Sequence, residues 1–454
     1  MKSSCRVILP FLVVFSLFFF LGFQRGPDVI AGAVQERIVP LPGPWPEKEY
    51  EDLLLSEKDI KAINEISKGS SYYIDLMNLT QEEMSWYRQA LSRFPEQALV
   101  LTTGEGLEEA QRQALLENAV FMKEMDSFAI MMERASMRAL PTTISLVNPD
   151  RHPYFDRLQL SAIYPHEPLR LLGESADGAY VLALSDFYAG WVPADAVTQV
   201  TRQELQQFSQ RSRFLTVQDN AVMASRVSDT GHTESVLLPM GTSIPLLEPF
   251  EMAGFVGTLS GGDYHGLTFD YQGMAALVLP RQSGVVPGYL PMTEKNLSEQ
   301  MNKLLGEAYD WGGATTGRDC SALVRDIYST FGLWIPRDSL QQMNFGRELD
   351  LRQHIAFSRE LSEEEKMSRI AELPVGSLLF MPGHVMMVYA KHDGCVEVIH
   401  DYVAYYEQNE HGLEKVEAMH VGVSDLQILD EQGNTYLSAI YGAFALEKEP
   451  HETI

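Results

Sequence analysis

Cys320 stands in the triplet Asp319-Cys320-Ser321, where the sequence predicts that a loop enters an amphipathic helix. The dipole and the free N–H groups of a helix N-terminus stabilise a thiolate, and the same N–H groups can stabilise an oxyanion. A cysteine at this position is therefore a candidate nucleophile. It can equally be a small buried hydrophobic residue, and its position alone does not decide between the two.

A thiol nucleophile needs a base, and two of the eleven histidines occur where a base could be held. His384 begins an apolar strand, and His400 ends the next one. If His392-Asp393-Gly394 forms a three-residue loop with a left-handed Gly394, Met386 pairs with His400 and the two histidines share one face of the hairpin. A two-residue loop at Asp393-Gly394 would place them on opposite faces. The catalytic interpretation therefore requires the longer loop.

The residues around this group predict the elements that hold it. Apolar residues at helical spacing follow Cys320, and Gly332 and Pro336 end that helix. The charged segment 359–372 predicts a surface helix, and three strands follow at 377–381, 385–390 and 396–402.

The rest of the 454-residue chain divides into segments that differ in the spacing of apolar residues and in their content of turn residues. Residues 34–140 begin with a proline-rich linker and continue as a helical region, in which Leu115, Val120, Phe121, Met125, Phe128 and Met132 recur at helical spacing. Short apolar runs separated by turn signals predict two small β-barrels, at residues 141–210 and 211–293. Residues 294–454 form the last domain, which contains Cys320 and both histidines.

Four motifs of this last domain together resemble the NlpC/P60 cell-wall peptidases, over roughly residues 290–445. They are Tyr309-Asp310-Trp311-Gly312-Gly313, Asp319-Cys320-Ser321, Pro336-Arg337-Asp338-Ser339-Leu340-Gln341-Gln342, and Leu373-Pro374-Val375-Gly376-Ser377-Leu378-Leu379-Phe380 before His384. The sequence departs from the family pattern at Ala322, where glycine is usual, and in an insertion near 345–372. Upstream, Gly190-Trp191-Val192-Pro193 resembles the end of a bacterial SH3 domain.

The resemblance implies an α+β protein, with a papain-like catalytic domain preceded by two SH3-like β-barrels and the N-terminal helical region. By the resemblance, Cys320 is the nucleophile, His384 is the base and His400 is the polar third member that orients His384. Tyr309 would assist the oxyanion hole.

The resemblance also implies the residues that bind the substrate. Asp319 would hold the ammonium group of an N-terminal L-alanine, with Ser339 and Tyr188 beside it, and Ser321 belongs to the same group. Each also has a purely structural interpretation: a helix N-cap for Asp319, a cap or turn residue for Ser339 and loop packing for Tyr188.

The implied reaction is hydrolysis of the bond between D-γ-glutamate and a diamino acid in peptidoglycan stem peptides, without a metal or cofactor. Stem peptides or muropeptides are the implied partners, and we expect a monomer. One alternative is a non-catalytic wall-binding protein built on SH3-like modules, but Cys320 and both histidines argue against it. The other is an amidase for another bond, for example a zinc enzyme using His384, His392, His400 and Asp401, although no metal-peptidase motif supports it.

The N-terminus predicts export, with Lys2 and Arg6 before an apolar run and Ala31-Gly32-Ala33 as a cleavage site. An uncleaved anchor is the alternative. Loss of residues 1–33 removes Lys2, Arg6, Arg25 and Asp28, a net +2, so the charge falls from -27 to -27 - 2 = -29. We expect a periplasmic or envelope protein without stable membrane insertion after cleavage, and such acidity makes nucleic acid an unfavourable partner.

Removal of the signal segment would leave two cysteines, Cys320 and Cys395. They could form a disulfide in an oxidising compartment, although one bridge adds little to a chain of this size. A free thiol in such a compartment instead indicates a catalytic role for Cys320.

Overall fold

The computed structural model describes residues 52–95, 97–149, 154–255, 259, 261–358, 360–392 and 394–446. The predicted signal segment and proline-rich linker lie outside these residues. Helices and antiparallel sheets occur together along the described chain, as the predicted α+β class requires. None of the helices in these residues is long and apolar enough to cross a membrane.

Three helices form most of the N-terminal segment. Ser56 and Thr80 cap the first two by accepting hydrogen bonds from the backbone N–H groups three residues on, which satisfies one free donor at each helix start. The segment contains β1 (Leu53–Leu55), α1 (Glu57–Ser67), α2 (Gln81–Ala90), β2 (Val100–Leu101) and α3 (Glu109–Asn118).

The next eight strands make the first β-domain, in which seven strands form one sheet in the order β10-β3-β7-β8-β9-β4-β6. The helix α4 (Arg202–Ser209) follows it. The strands are β3 (Lys123–Met131), β4 (Ala135–Arg138), β5 (Leu146–Val147), β6 (Gln159–Ile163), β7 (Pro168–Glu174), β8 (Tyr180–Leu184), β9 (Ala189–Pro193) and β10 (Val197–Val200).

The helix predicted over the residues of β3 is wrong, and this domain begins well before residue 141. Phe128 and Ile130 pack against α4 and the following domain, whereas Ala129 and Met131 pack into the core of the first β-domain. A strand that is buried on both faces carries a continuous apolar run instead of a two-residue alternation, so its pattern resembles that of a buried helix.

Two small antiparallel sheets form the second β-domain, in the region predicted as a second SH3-like barrel. Their strand orders are β14-β11-β17 and β13-β12-β16-β15. Its elements are β11 (Phe214–Val217), β12 (Ala221–Val227), β13 (Thr233–Pro239), β14 (Ser243–Pro245), α5 (Pro249–Met252), β15 (Tyr264–Asp270), β16 (Gly273–Leu279) and β17 (Val285–Pro287). The assignment as an SH3-like barrel stays a prediction.

The C-terminal domain is built on a six-stranded sheet in the order β19-β24-β20-β21-β22-β23. One apolar cluster, which includes Leu323 and Ile327 of α7, covers one face of the sheet, and a second cluster covers the other face. Its elements are β18 (Met292–Thr293), α6 (Glu294–Leu304), α7 (Cys320–Ser329), α8 (Ser339–Glu348), β19 (His354–Ala356), α9 (Glu363–Glu372), β20 (Leu378–Met381), β21 (His384–His392), β22 (Cys395–Asn409), β23 (Gly412–Asp425), α10 (Tyr436–Ala439) and β24 (Gly442–Phe444).

Arg318 joins the three domains two residues before Cys320. Its guanidinium, which is 1% exposed, donates to Asp326 Oδ2 at 2.7 Å, to both oxygens of Glu307 and to Asn220 of the second β-domain. Tyr164 of the first β-domain donates its hydroxyl to the same Asp326 oxygen at 2.8 Å. A buried cation with this many acceptors fixes the loop that enters α7 relative to both β-domains.

Candidate active site

Cys320 is the first residue of α7, and Asp319 is its N-cap. The Asp319 carboxylate accepts a hydrogen bond from the backbone N–H of Ala322 at 2.9 Å, which starts the helix. Cys320 is buried, and its thiol is free, so the alternative of a disulfide with Cys395 is not formed. The backbone N–H of Val385 lies close enough to the Cys320 sulfur to lower the thiol pKa, which places the start of β21 and the adjacent His384 near the thiol.

Both members of this pair are electrically neutral in the free protein. Burial raises the pKa of the Cys320 thiol to about 12, and the charge of Asp319 adds to the effect. Burial lowers the pKa of His384 to about 4. The lowered thiol pKa expected from the helix N-terminus is therefore not found, because desolvation outweighs the helix dipole. A thiol and an imidazole at neutral pH require that the proton moves to His384 when the sulfur attacks.

A chain of side chains continues from His384. His384 Nε2 lies 2.8 Å from His400 Nδ1, and His400 Nε2 lies 2.9 Å from Ser424 Oγ. The ring of Tyr402 stacks on that of His400 with centroids 4.0 Å apart. His400 therefore orients His384 through one ring nitrogen and is itself oriented by Ser424 through the other. No sequence pattern marks Ser424 as a member of this group.

The histidines share one face of the hairpin, but the loop differs from the one predicted. His392 pairs with Cys395, which leaves only residues 393 and 394 as the connection. A bulge between Val388 and Ala390 then shifts the register by one residue, so that Met387 pairs with Ile399. The next pair along the ladder is therefore Met386 with His400, as predicted. The shorter loop alone would have put the two histidines on opposite faces, and the one-residue shift at the bulge returns them to the same face. His392 lies at the far end of β21, roughly 26 Å from His384 at 3.3 Å per residue, so the two cannot share a metal ion.

Tyr309 lies beside the thiol, on the loop that precedes α7. Its backbone N–H donates to the carbonyl of Met419 in β23 at 3.0 Å. Burial raises the pKa of the Tyr309 hydroxyl, and the negative charge of Asp319 raises it further, as would a thiolate at Cys320. The hydroxyl is therefore neutral, and it lies within electrostatic reach of Cys320.

The Asp319 carboxylate is fully occupied within the protein. Its two oxygens accept from Arg337 Nη1 and Nη2, both at 2.9 Å, and from Ser321 Oγ at 3.0 Å and Gly312 N at 3.1 Å. Burial raises the pKa of Asp319, but the charge and hydrogen bonds of Arg337 outweigh burial and hold it below the ordinary value. Ser321 also accepts from Arg337 at 2.8 Å. Asp319 therefore forms a buried ion pair with Arg337, and Ser321 is hydrogen-bonded to both residues. Neither side chain has an unused acceptor for an ammonium group.

Gly312 and Gly313 allow this loop to approach the first β-domain. Both have positive φ, at 61° and 67°. A Cβ on Gly312 would lie 2.7 Å from Gln159 Cγ, and one on Gly313 would lie 3.0 Å from the Cβ of Ala162. Only glycine combines this backbone conformation with this proximity.

Replacing Arg337 with methionine should lower the free energy of unfolding by about 3–5 kcal/mol, because the buried Asp319 carboxylate would lose its cation. Urea unfolding followed by circular dichroism measures the change. The matched control is Lys415→Met, which breaks an exposed ion pair with Glu417 and should change the free energy by less than about 0.5 kcal/mol. A loss below about 1 kcal/mol for Arg337→Met would contradict the importance of this pair.

Tyr188 of the first β-domain reaches the C-terminal domain at Asp338. Its hydroxyl donates to Asp338 Oδ2 at 3.1 Å. Asp338 caps α8, and Ser339 is the first residue of that helix. Burial raises the pKa of Asp338, although the Arg337 charge opposes it. Asp338 is part of the sequence motif that runs from Pro336 to Gln342, and the structure shows that it forms a capping box with Gln341.

A cleft of about 680 Å³ opens between the first β-domain and the loop before α7. Tyr309, Trp311 and Met419 line one wall, and Tyr154 and Tyr180 line the other. Tyr309 lines this cleft and is also near Cys320, so the cleft borders the catalytic group.

Two segments of the chain match known families. Residues 306–426 match the model of the NlpC/P60 family, and residues 148–193 match that of the SH3 domain (SH3b1 type). No curated protein matches. Among solved structures, a novel NlpC/P60 endopeptidase from Photobacterium damselae subsp. piscicida is 17% identical, with a TM-score of 0.67, 88% of this chain covered and 95% of that chain covered. An NlpC/P60 family protein from Bacillus cereus ATCC 10987 is 18% identical, with a TM-score of 0.46 and coverages of 71% and 100%. The first of these likenesses shows a shared fold.

Proposed function

We propose that this chain, which carries an NlpC/P60 domain behind a bacterial SH3 domain, hydrolyses the γ-D-glutamyl–diamino acid bond of peptidoglycan stem peptides. NlpC/P60 proteins are cysteine peptidases. The observation that carries the proposal is the thiol at the start of α7 beside the His384–His400–Ser424 chain.

The reaction begins with a proton transfer from Cys320 to His384. When His384 Nδ1 is free to accept that proton, its Nε2–H donates to His400 Nδ1, and His400 Nε2–H donates to Ser424. The sulfur attacks the γ-glutamyl carbonyl carbon and forms a tetrahedral oxyanion. The backbone N–H of Cys320 and the Tyr309 hydroxyl stabilise the negative charge.

Protonated His384 then gives its proton to the amine of the diamino acid as the C–N bond breaks. The product amine leaves, and the γ-glutamyl group remains on Cys320 as a thioester. His384 next takes a proton from water, whose oxygen attacks the thioester carbonyl; the C–S bond then breaks, and His384 returns the proton to the Cys320 sulfur.

We assign the N-terminal ammonium of the substrate to Asp338, with Tyr188 and Ser339 beside it. The resemblance gave this role to Asp319, but the five hydrogen bonds to that carboxylate favour its neighbour. Asp338 is a partly buried acid with a raised pKa, and among the described residues its one side-chain hydrogen-bond donor is Tyr188, from another domain. An ammonium group there would pair with the carboxylate and stabilise its ionised form.

An enzyme with this pocket processes peptides that have a free N-terminal L-alanine, so released fragments fit it better than intact wall. The SH3 domain contributes Tyr188 to the pocket and forms one wall of the adjacent cleft. Its position supports a role in substrate selection besides attachment to peptidoglycan. Export to the cell envelope would bring the protein to this substrate.

Incubation of the purified protein with L-Ala-γ-D-Glu-L-lysine tests the proposal. Iodoacetamide should abolish release of lysine by alkylating Cys320, and EDTA should leave it unchanged. Inhibition by EDTA alone would instead support a metal amidase. Binding to peptidoglycan without release of any amino acid would support the non-catalytic alternative.

A further inference from the structure

Asp401 is a buried acid next to His400 on β22, and the mechanism above does not use it. Its side chain is inaccessible to solvent, and neither carboxyl oxygen has a hydrogen-bond partner among the residues that the structure describes. A buried carboxylate without a partner is strongly unfavourable, so such a group takes up a proton. Asp401 is therefore a neutral acid, which can donate a hydrogen bond.

The pairing of the sheet places Asp401 on the face that packs against α7. Asp401 lies opposite Val421 in the β22–β23 ladder, and the backbone of Val421 pairs in turn with Gly306 and Glu307 of the loop before α7. Ile399, two residues earlier on the same face, belongs to the apolar cluster that contains Cys320. Strand alternation thus directs Asp401 to the face under α7 and directs His400 to the other face.

The charges around Asp401 keep it protonated. Burial raises the pKa of Asp401 to about 9, and the negative charges of Asp319, Glu307 and Asp310 raise it further. The guanidinium of Arg318 opposes this shift, but Glu307, Asp326 and Asn220 already accept its hydrogen bonds. Arg337 is likewise committed to Asp319.

Two groups of the active site respond to a charge on Asp401. An ionised Asp401 raises the pKa of the Cys320 thiol and that of the Tyr309 hydroxyl. The hydroxyl therefore lies within electrostatic reach of both the thiol and this acid. Asp401 and Tyr309 are not in direct hydrogen-bond contact, so a hydrogen-bonded link between them requires a bridging group such as one water molecule.

We propose that Asp401 is a positioning residue that works in its protonated form, donating its carboxyl proton through one water toward the Tyr309 hydroxyl oxygen. The Tyr309 O–H is then directed at the oxyanion formed during attack by Cys320. This inference rests on the proposed function. Loss of the proton removes the donor and adds a negative charge near the thiolate and the oxyanion, so activity falls as pH rises through about 9.

The test compares Asp401→Asn with the wild type from pH 6 to pH 10.5, using the tripeptide with a free amine. The asparagine keeps the shape and an N–H donor but cannot ionise. We expect kcat within about twofold of wild type at pH 7.5 and no alkaline fall near pH 9. Glu407→Gln, an exposed change on the same strand, should keep the wild-type profile.

A second variant separates orientation of Tyr309 from general packing. Asp401→Leu should lower kcat about tenfold with little change in KM, because the lost hydrogen bond acts in the transition state. In a Tyr309→Phe background the same substitution should have no further effect. Identical pH profiles of wild type and Asp401→Asn, or a full additional loss in the Tyr309→Phe background, would overturn the inference.

Alkylation of Cys320 by iodoacetamide gives a readout that needs no peptidase activity. In Asp401→Asn the alkylation rate should reach half its maximum at a lower pH than in the wild type, because no carboxylate forms beside the thiolate. If this shift occurs but no peptide is cut, the proposed function fails and the position of Asp401 stands. If peptides are cut but the alkylation profile does not shift, the inference about Asp401 fails and the proposed function stands.

Discussion

Cys320→Ala should lower kcat/KM for a free-amine stem peptide by about 10⁴-fold or more, with an unchanged urea midpoint. The sulfur supplies the electron pair for the thioester, and alanine at the start of α7 has no nucleophilic atom. The neighbouring hydroxyl of Ser321 cannot replace it, because it is held between Asp319 and Arg337. The measurement is release of the diamino acid over time by purified wild type and variant.

A pair of histidine variants provides the matched control for this result. His384→Ala should cause a loss of similar size, since the thiol then has no proton acceptor. His392→Ala changes an exposed histidine at the other end of the same strand and should be neutral. Turnover retained by Cys320→Ala, or an equal loss in both histidine variants, would remove the basis for the assigned nucleophile and base.

Acetylation of the substrate amine should lower kcat/KM by about 10²-fold or more. Removal of the positive charge leaves Asp338 without its cation, at a cost of about 3 kcal/mol for a group that is only partly buried. Each ~1.4 kcal/mol corresponds to a factor of ten in rate. The acetyl group also adds bulk against Tyr188, which belongs to a different domain. The measurement is the ratio of kcat/KM values for L-Ala-γ-D-Glu-diamino acid and its N-acetyl form.

Asp338→Asn identifies the carboxylate responsible. The variant should discriminate far less between the free and the acetylated peptide, because an amide has no charge to pair with the ammonium. Tyr188→Phe should have a smaller effect in the same direction. Equal rates for the two peptides with the wild-type protein would show that the pocket does not select for a free amine.

The chemical groups of this site follow from local patterns, whereas their surroundings depend on long-range packing. The sequence correctly predicted the helix that begins at Cys320, because a loop with glycines precedes an amphipathic run. It also predicted that His384 and His400 share a face. That result was reached with the wrong loop, since the bulge between Val388 and Ala390 has no distinct sequence pattern.

Other features could not be predicted from one sequence. The strand β3 was mistaken for a helix because both of its faces are buried by other parts of the chain. The choice between Asp319 and Asp338 depends on where Arg337 places its guanidinium, and that is a contact across 18 residues. Likewise, Asp401 is one acid among many until the fold shows that its oxygens lack partners in the described chain.

Mass spectrometry of the products from L-Ala-γ-D-Glu-meso-diaminopimelate-D-Ala tests the central claim most directly. Wild-type protein should yield two products, L-Ala-D-Glu with its γ-carboxyl free and diaminopimelyl-D-Ala, and the Cys320→Ala variant should yield neither. Release of L-alanine or of the terminal D-alanine would contradict cleavage at the γ-D-glutamyl bond. So would a tetrapeptide that stays intact after incubation with wild-type protein whose Cys320 reacts with iodoacetamide.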